Sequence, residues 1–323
     1  MSRTIVGVLR GGTSREYNLS LKTGAAMLSA LPEEKYDARD ILVDKNGVWH
    51  SRGIPVDSSR ALAQIDVVIN GLHGGVGEDG TVQRVLDRAG VAYAGSRARG
   101  SQLSLNKIRA REILQEAGLR MPRAASFNLE NQLTTGEMAQ AVFSQFGPPY
   151  IVKPQGEGAS YGIRYALHLL ELPDAIGDVL DEYGAVLIEE YIRGDEASVG
   201  IVEDFRGQEL YVLPPVHVKL PGGAHFLEAS HHEDALAQHT CPSNFTRAEK
   251  RAIEDLARAA HRALGLSHFS RADIINTRRG PYLLEVNSLP GLYAGSSFPV
   301  MLEAVGSSTR EFIEHAIELA QWR

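Results

Sequence analysis

Three times in its first hundred residues the chain runs a short apolar stretch into glycine. TIVGVL (4–9) leads into RGGTS, IDVVINGLHG (65–74) closes on a Gly-rich loop, and VAYAGS ends beside Gly95. Two segments with helical spacing lie between them, SLKTGAAMLSAL (20–31) and GTVQRVLDRAG (80–90), the second closed by a glycine. Strands that alternate with helices imply a parallel sheet. An N-terminal α/β unit is therefore expected over residues 1–100.

The remainder reads differently. SLNKIRAREILQEAG (104–118) has helical spacing and is stopped by Gly118 and then Pro122. PYIVKPQGEGASYGI (149–163) is a strand, a glycine loop and a strand, and AVLIEEYIRGDEASVGIVED (185–204) is two strand-like runs around a turn. FTRAEKRAIEDLARAAHRALG (245–265) is an amphipathic helix, apolar at 253, 256, 257, 260 and 264. FSRADIINTRRGPYLLEVNSLPGLY reads as a hairpin, and SSTREFIEHAIELAQW as a closing helix with a Ser/Thr cap. Antiparallel strands mixed with helices give an α/β (α+β) chain, with boundaries near 100 and near 185.

A chain of 323 residues with 43% apolar and 23% charged residues suits a soluble protein of two or three domains. A single cysteine, Cys241, allows no intrachain disulfide and fits a reducing compartment. The first residues lack a signal peptide's apolar core, and no run of about 18 apolar residues occurs. A cytoplasmic location without a membrane partner is expected. A net charge of −7 without a Lys/Arg block argues against nucleic acid as the main partner.

The hairpin carries the densest chemistry. Glu285 and Asn287 are two apart on one strand and share a face. If the strands pair around TRRG, Asp273 comes alongside, with Arg271 on the same side. Three oxygen-bearing side chains at one spot suit Mg²⁺, and Arg271 suits a phosphate. Surface ion pairs on a polar sheet face are the plainer alternative. In VKPQGEGASYG, Lys153 ends a strand before a glycine loop whose N–H groups suit phosphates, although the P-loop spacing is absent. In VLRGGTSRE, G-x-G-x-x-G is missing, so a dinucleotide site is weakly supported. Glu16 there suits a substrate ammonium, or simply the positive end of a helix. His73 in LHGG is a candidate substrate-side residue or a structural hydrogen-bonder.

The order of these pieces is more specific than any one. GGTSREYNLS, LHGGVGEDGTVQRVLDRAGVAYAGS, LNKIRAREILQEAGLRMP, YIVKPQGEGASYGI, LIEEYIRGDE, SRADII and LLEVNSLPGLYAGSSFP follow one another over about residues 4–306. Together they resemble the D-alanine:D-alanine ligase family of the ATP-grasp superfamily. The resemblance implies a three-domain fold (1–100, 101–185, 186–323) with ATP held between the last two. It implies phosphate contacts from Lys107 and Lys153, an adenine-side hydrogen bond from Glu189 and a ribose contact from Glu196. Asp273, Glu285 and Asn287 match the ligands of two Mg²⁺ ions, with Mn²⁺ as an alternative. Arg271 matches the arginine that steadies the phosphoryl group, and Gly291 the oxyanion N–H. Ser296 matches the serine for the second substrate's carboxylate, and Glu16 the acid for the first substrate's ammonium. Two small amino acids would be joined through an acylphosphate. The family is commonly dimeric, so a homodimer is the expected assembly.

The chain departs from the family's pattern. Ala159 stands where the glycine loop normally has a serine, and Ser297 where a leucine usually follows the substrate serine. In LEASHHEDALAQHT (227–240), Ser230 replaces a lysine and His231 a tyrosine. Of a Glu–Ser–Tyr triad only Glu16 remains. The segment about 219–243 is expected to be a lid, with His231 as replacement gate residue. A cationic histidine there would repel an amine nucleophile and tolerate a hydroxyl, so a D-alanyl-D-lactate-type or other dipeptide or depsipeptide ligase is one alternative, and a nucleotide-binding ATP-grasp protein without catalysis is another. Zinc binding by His231, His232 and His239 matches no usual spacing.

Overall fold

The computed structural model describes residues 3–222, 224–226, 228–234 and 236–322. The chain opens with β1 (Thr4–Gly11), α1 (Tyr17–Ala30), β2 (Tyr36–Val43), β3 (Trp49–Ser51), β4 (Ile54–Val56), α2 (Ser58–Leu62), β5 (Val67–Asn70), α3 (Thr81–Ala89) and β6 (Ala92–Ala94). Among the described residues these strands form one sheet of order β4-β3-β2-β1-β5-β6. The parallel part is the one the strand–helix alternation predicts: β1 runs parallel to β2 and β5, and β5 to β6. Val6, Val8, Leu9, Val67 and Val68 are fully buried, as suits strands covered on both faces. An antiparallel meander, β2-β3-β4, extends one edge. Its last two strands have three residues each, too short for periodicity to reveal.

The single helix expected over 104–118 is two, α4 (Ala98–Leu105) and α5 (Lys107–Glu116). Asn106 separates them. Its backbone is extended (φ −78°, ψ 93°), and its side-chain oxygen accepts the Arg109 N–H at 3.0 Å. Asparagine is a favoured N-cap because this bond satisfies an otherwise orphan donor of the first turn.

A second sheet holds β7 (Ala124–Asn128), β8 (Tyr150–Pro154), β9 (Arg164–Ala166) and β10 (Ala185–Glu190), in the order β7-β10-β8-β9. Its helices are α6 (Thr135–Phe143) and α7 (Leu172–Tyr183). Met138, Val142, Tyr150, Val152, Ile176 and Ile188 form a separate apolar core there. Because β10 belongs to this sheet, the passage to the next sheet falls at 191–194, not near 185.

The third sheet comprises β11 (Asp195–Phe205), β12 (Gln208–Val212), β13 (Val216–Lys219), β14 (Gln238–Thr240), β15 (Phe269–Thr277) and β16 (Gly280–Asn287). The order is β14-β13-β11-β15-β16, with β12 paired to β11. Between β13 and β14 lies a short helix, α8 (Ala229–Glu233). On one face packs α9 (Arg247–Ala263), started by a reciprocal cap between Thr246 and Glu249. The chain ends with α10 (Ser297–Ala304) and α11 (Thr309–Trp322). Phe298, Phe312, Ile313 and Ile317 from these helices share a core with Val6, Val8, Val67 and Ile69 of the first sheet. No helix among the described residues is long and apolar enough to cross a membrane.

Candidate active site

The β15–β16 hairpin brings together the residues that the sequence suggested, by a device the sequence did not reveal. Ile274 faces Leu283, so regular pairing would set Asp273 opposite Leu284. A β-bulge between Asp273 and Ile274 shifts the register instead. Asp273 faces Glu285 and Arg271 faces Asn287. Opposed residues of an antiparallel pair share a face, so all four point to one side.

Asp273 is heavily engaged. Arg271 grips it with two bonds, Nε to Oδ1 at 2.9 Å and Nη2 to Oδ2 at 2.7 Å. Asn287 Nδ2 donates to Oδ2 at 2.9 Å, and Ser198 Oγ of β11 donates to Oδ1 at 2.8 Å. Glu285 accepts from Lys107 Nζ at 2.7 Å. Burial alone would raise Glu285, but Lys107, Lys153 and Arg271 outweigh it and hold the carboxyl down at about 2. The donor set is two carboxylates and one amide. No group of three or more His, Cys, Asp or Glu side chains suited to a metal occurs among the described residues.

A cavity of about 540 Å³ opens between the second and third sheets and includes Lys153, Glu189, Glu196, Arg271, Asp273 and Ser296 in its walls. Lys153 on β8 pairs with Glu189 on β10 at 2.7 Å, and Arg111 of α5 reaches the other oxygen of Glu189 at 3.0 Å. All three side chains are buried. Arg111 escaped the sequence reading. Its signal was present, since Lys107 and Arg111 are four apart and share a face of α5. Glu196 on β11 is pushed up to about 8 by burial, with Asp273 and Glu285 adding to it.

A smaller cavity of about 50 Å³ adjoins the first sheet and is lined by Glu16, His73, Glu78, Lys107, Asn287 and Gly291, among others. Glu16 is wedged between two loops. A Cβ on Gly74 or on Gly158 would lie 2.6 or 2.4 Å from its Oε1. That oxygen is buried without a hydrogen-bond partner among the described residues. Burial, with Glu78 beside it, raises Glu16 to about 8. Glu78, also missed from sequence, accepts the Gly74 N–H at 2.7 Å and is raised by burial to about 7. His73 Nε2 lies 2.7 Å from the Thr23 hydroxyl, and the ring also bonds the Leu289 backbone. Thr23 in turn accepts the Leu292 N–H at 3.4 Å. His73 therefore ties the loop after β16 to the first sheet, and burial holds it neutral, lowered to about 4.

Ser296 caps the start of α10 and spends its hydroxyl on the carbonyls of Gly291 and Tyr293, at 2.7 and 2.8 Å. The expected lid carries α8 and returns as β14, which pairs with β13 so that His239 faces Val218. Residues 223, 227 and 235 of that segment lie outside the described residues. The expected gate, His231, lines the larger cavity, but its Nδ1 accepts the Glu228 N–H at 3.0 Å and so caps α8. His232, not His231, lines both cavities. Burial and Arg271 lower it to about 4. Adjacent helical residues point about 100° apart, and nothing in "HH" tells which one reaches the smaller cavity.

Two antiparallel sheets enclosing a cation- and carboxylate-lined cleft have the build of an ATP-dependent ligase of the ATP-grasp type, and known structures share the fold. The VanG D-Ala:D-Ser ligase from Enterococcus faecalis superimposes with a TM-score of 0.85 at 25% identity, covering 99% of this chain and 100% of that one. The D-alanine–D-alanine ligase from Bacillus anthracis, solved in complex with ATP, gives 0.80 at 25% identity over 98% and 97% of the two chains. Residues 113–318 match the D-ala D-ala ligase C-terminus family and residues 50–96 the corresponding N-terminus family. A D-alanine–D-alanine ligase of Geobacter sulfurreducens is 35% identical over 99% of this chain and 95% of its own length. The chain belongs to the D-alanine–D-alanine ligase family.

Proposed function

We propose that this ligase joins D-alanine to D-alanine with cleavage of ATP. The observation that carries the reading is the meeting of Lys107, Lys153 and Arg271 with Asp273, Glu285 and Asn287 where the two cavities adjoin. Cations beside hard oxygen donors suit a triphosphate, and the smaller cavity suits a small amino acid. The carboxylate of the first amino acid attacks the γ-phosphorus, forming an O–P bond as ADP leaves. The amine of the second attacks the acyl carbon, the C–N bond forms and phosphate departs. Lys107, Lys153 and Arg271 offset the charge that gathers on the transferring group, and the Gly291 N–H faces the developing oxyanion. Glu16 gives up its proton as the first substrate's ammonium arrives and anchors it as a carboxylate, while Glu189 and Glu196 orient the nucleoside.

Two carboxylates and an amide oxygen fit Mg²⁺, or Mn²⁺ in its place, in type of donor. Asp273, Glu285 and Asn287 would hold two ions, Asp273 after Arg271 turns from it to the phosphoryl group. The metal supplies charge neutralisation at the phosphate oxygens. The segment 219–243 acts as the lid, and the enzyme works as a cytoplasmic homodimer with units meeting near 100 and 191.

A second reading keeps the first substrate and changes the other to a hydroxy acid or another amino acid. The position of His232 at the junction of the cavities favours it. Phosphate release from Mg·ATP, measured over a panel of D- and L-amino acids and hydroxy acids with mass spectrometry of the products, separates the two. D-alanyl-D-alanine as main product supports the first reading and an ester the second. A panel without phosphate release overturns both.

A further inference from the structure

Among the described residues, five line both cavities: Ala159, His232, Arg271, Glu285 and Tyr293. Arg271 is held on Asp273 and Glu285 on Lys107. Ala159 carries no donor. Of the five, only Tyr293 brings a neutral hydroxyl to the junction, and Glu16 across the small cavity has a buried carboxylate oxygen with no partner.

The loop after β16 holds Tyr293 from several sides. The Ser296 N–H donates to the Tyr293 carbonyl at 3.1 Å, and the Ser296 hydroxyl lies 2.8 Å from the same oxygen. Leu292 is tied to Thr23 of α1. The ring lies against the Gly291 backbone so closely that a Cβ there would come within 2.6 Å of Cε1. Gly291 is thus required by the aromatic ring two residues on. Burial raises the phenol above its ordinary value, Arg271 pulls it down and Glu16 adds to the rise, so both charged groups act on it. It is a donor, not a base, at neutral pH.

We propose that Tyr293 is a positioning residue for the first substrate, its O–H donating to Oε1 of Glu16 so that the other carboxylate oxygen is aimed at the substrate ammonium. This rests on the reading of the small cavity as the first amino-acid site. A hydrogen bond to a carboxylate fixes both its charge and its direction, which the alanine at 159 does not do.

The test uses the full chain with Mg·ATP and D-alanine, resolving the Michaelis constants of the two amino-acid sites. For Tyr293→Phe, KM at the first site is expected to rise about tenfold, with KM for ATP within twofold and kcat within threefold of wild type. The double variant Tyr293→Phe/Ala159→Ser, which returns a hydroxyl beside Glu16, is expected to recover most of that loss. An unchanged first-site KM in Tyr293→Phe overturns the assignment. So does a rise that Ala159→Ser fails to reverse, since the phenol would then act through packing alone. A wild-type enzyme inert with D-alanine overturns the substrate reading and this inference with it. An active wild type that Tyr293→Phe leaves unaltered overturns this inference only.

Discussion

Glu16 shows how much of this site depends on single atoms. Its Oε1 lies against two glycines and is unpartnered, and its carboxyl is raised to about 8. An unfolded glutamate titrates near 4.5. Between those values the folded group keeps a proton that the unfolded one gives up. Its contribution to stability is therefore full below pH 4.5 and lost as pH rises through 8. Glu78 and Glu196 act in the same sense. Glutamine mimics the protonated acid, so Glu16→Gln should melt like wild type at pH 5. At pH 8 it should exceed wild type by on the order of a few kcal/mol in unfolding free energy. Denaturant melts of both proteins from pH 5 to 9 check this, and parallel curves would contradict the raised carboxyl. Glu285→Gln keeps an acceptor for Lys107 and removes the charge. Turnover is expected to drop on the order of a hundredfold or more, with the far-UV spectrum unchanged.

At the scale of elements, the cap at Asn106 and the bulge at Asp273 do the positioning. Asn106→Ala should cost about 1 kcal/mol of stability, read from denaturant midpoints, because α5 loses its N-cap. The same variant should weaken ATP binding more than amino-acid binding, since α5 carries Lys107 and Arg111 to the cleft. Much of this was legible in the sequence. The strand–helix alternation announced the parallel sheet, and Arg-x-Asp facing Glu-x-Asn announced the carboxylate cluster. The remainder depends on contacts between distant segments. A bulge leaves no mark in hydrophobic period, because Leu284 and Glu285 simply follow each other. The partner of Lys153 is Glu189, thirty-six residues away, and only strand pairing reveals it. Both adjacent histidines line the larger cavity, and only the geometry of α8 reveals that His232 also reaches the smaller one.

On the scale of the whole molecule, the cores are unevenly divided. The second sheet has an apolar cluster of its own, and so does one face of the first sheet, with Leu9, Ile41, Val68 and Leu86, whereas the other face of the first sheet shares a cluster with the C-terminal helices. Phe312 sits at the join, its ring 5.1 Å from Phe269 and 5.0 Å from Phe298. Phe312→Ala should cost about 3–5 kcal/mol. The loss should appear in amides of the first and third sheets together, leaving those of 124–190 nearly unaffected, as hydrogen exchange would resolve. The shared core also bears on the making of the protein. A ribosome releases β1 and β5 long before α11, so the face formed by Val6, Val8, Val67 and Ile69 has little beyond Met27 and Leu31 from the first third to cover it until the C-terminal helices emerge. One face of the N-terminal sheet must wait for the end of its own message, while its other face and the middle third complete their cores in passing. Truncation before Thr309 would therefore leave a soluble central segment attached to a sheet that chaperones have to shield.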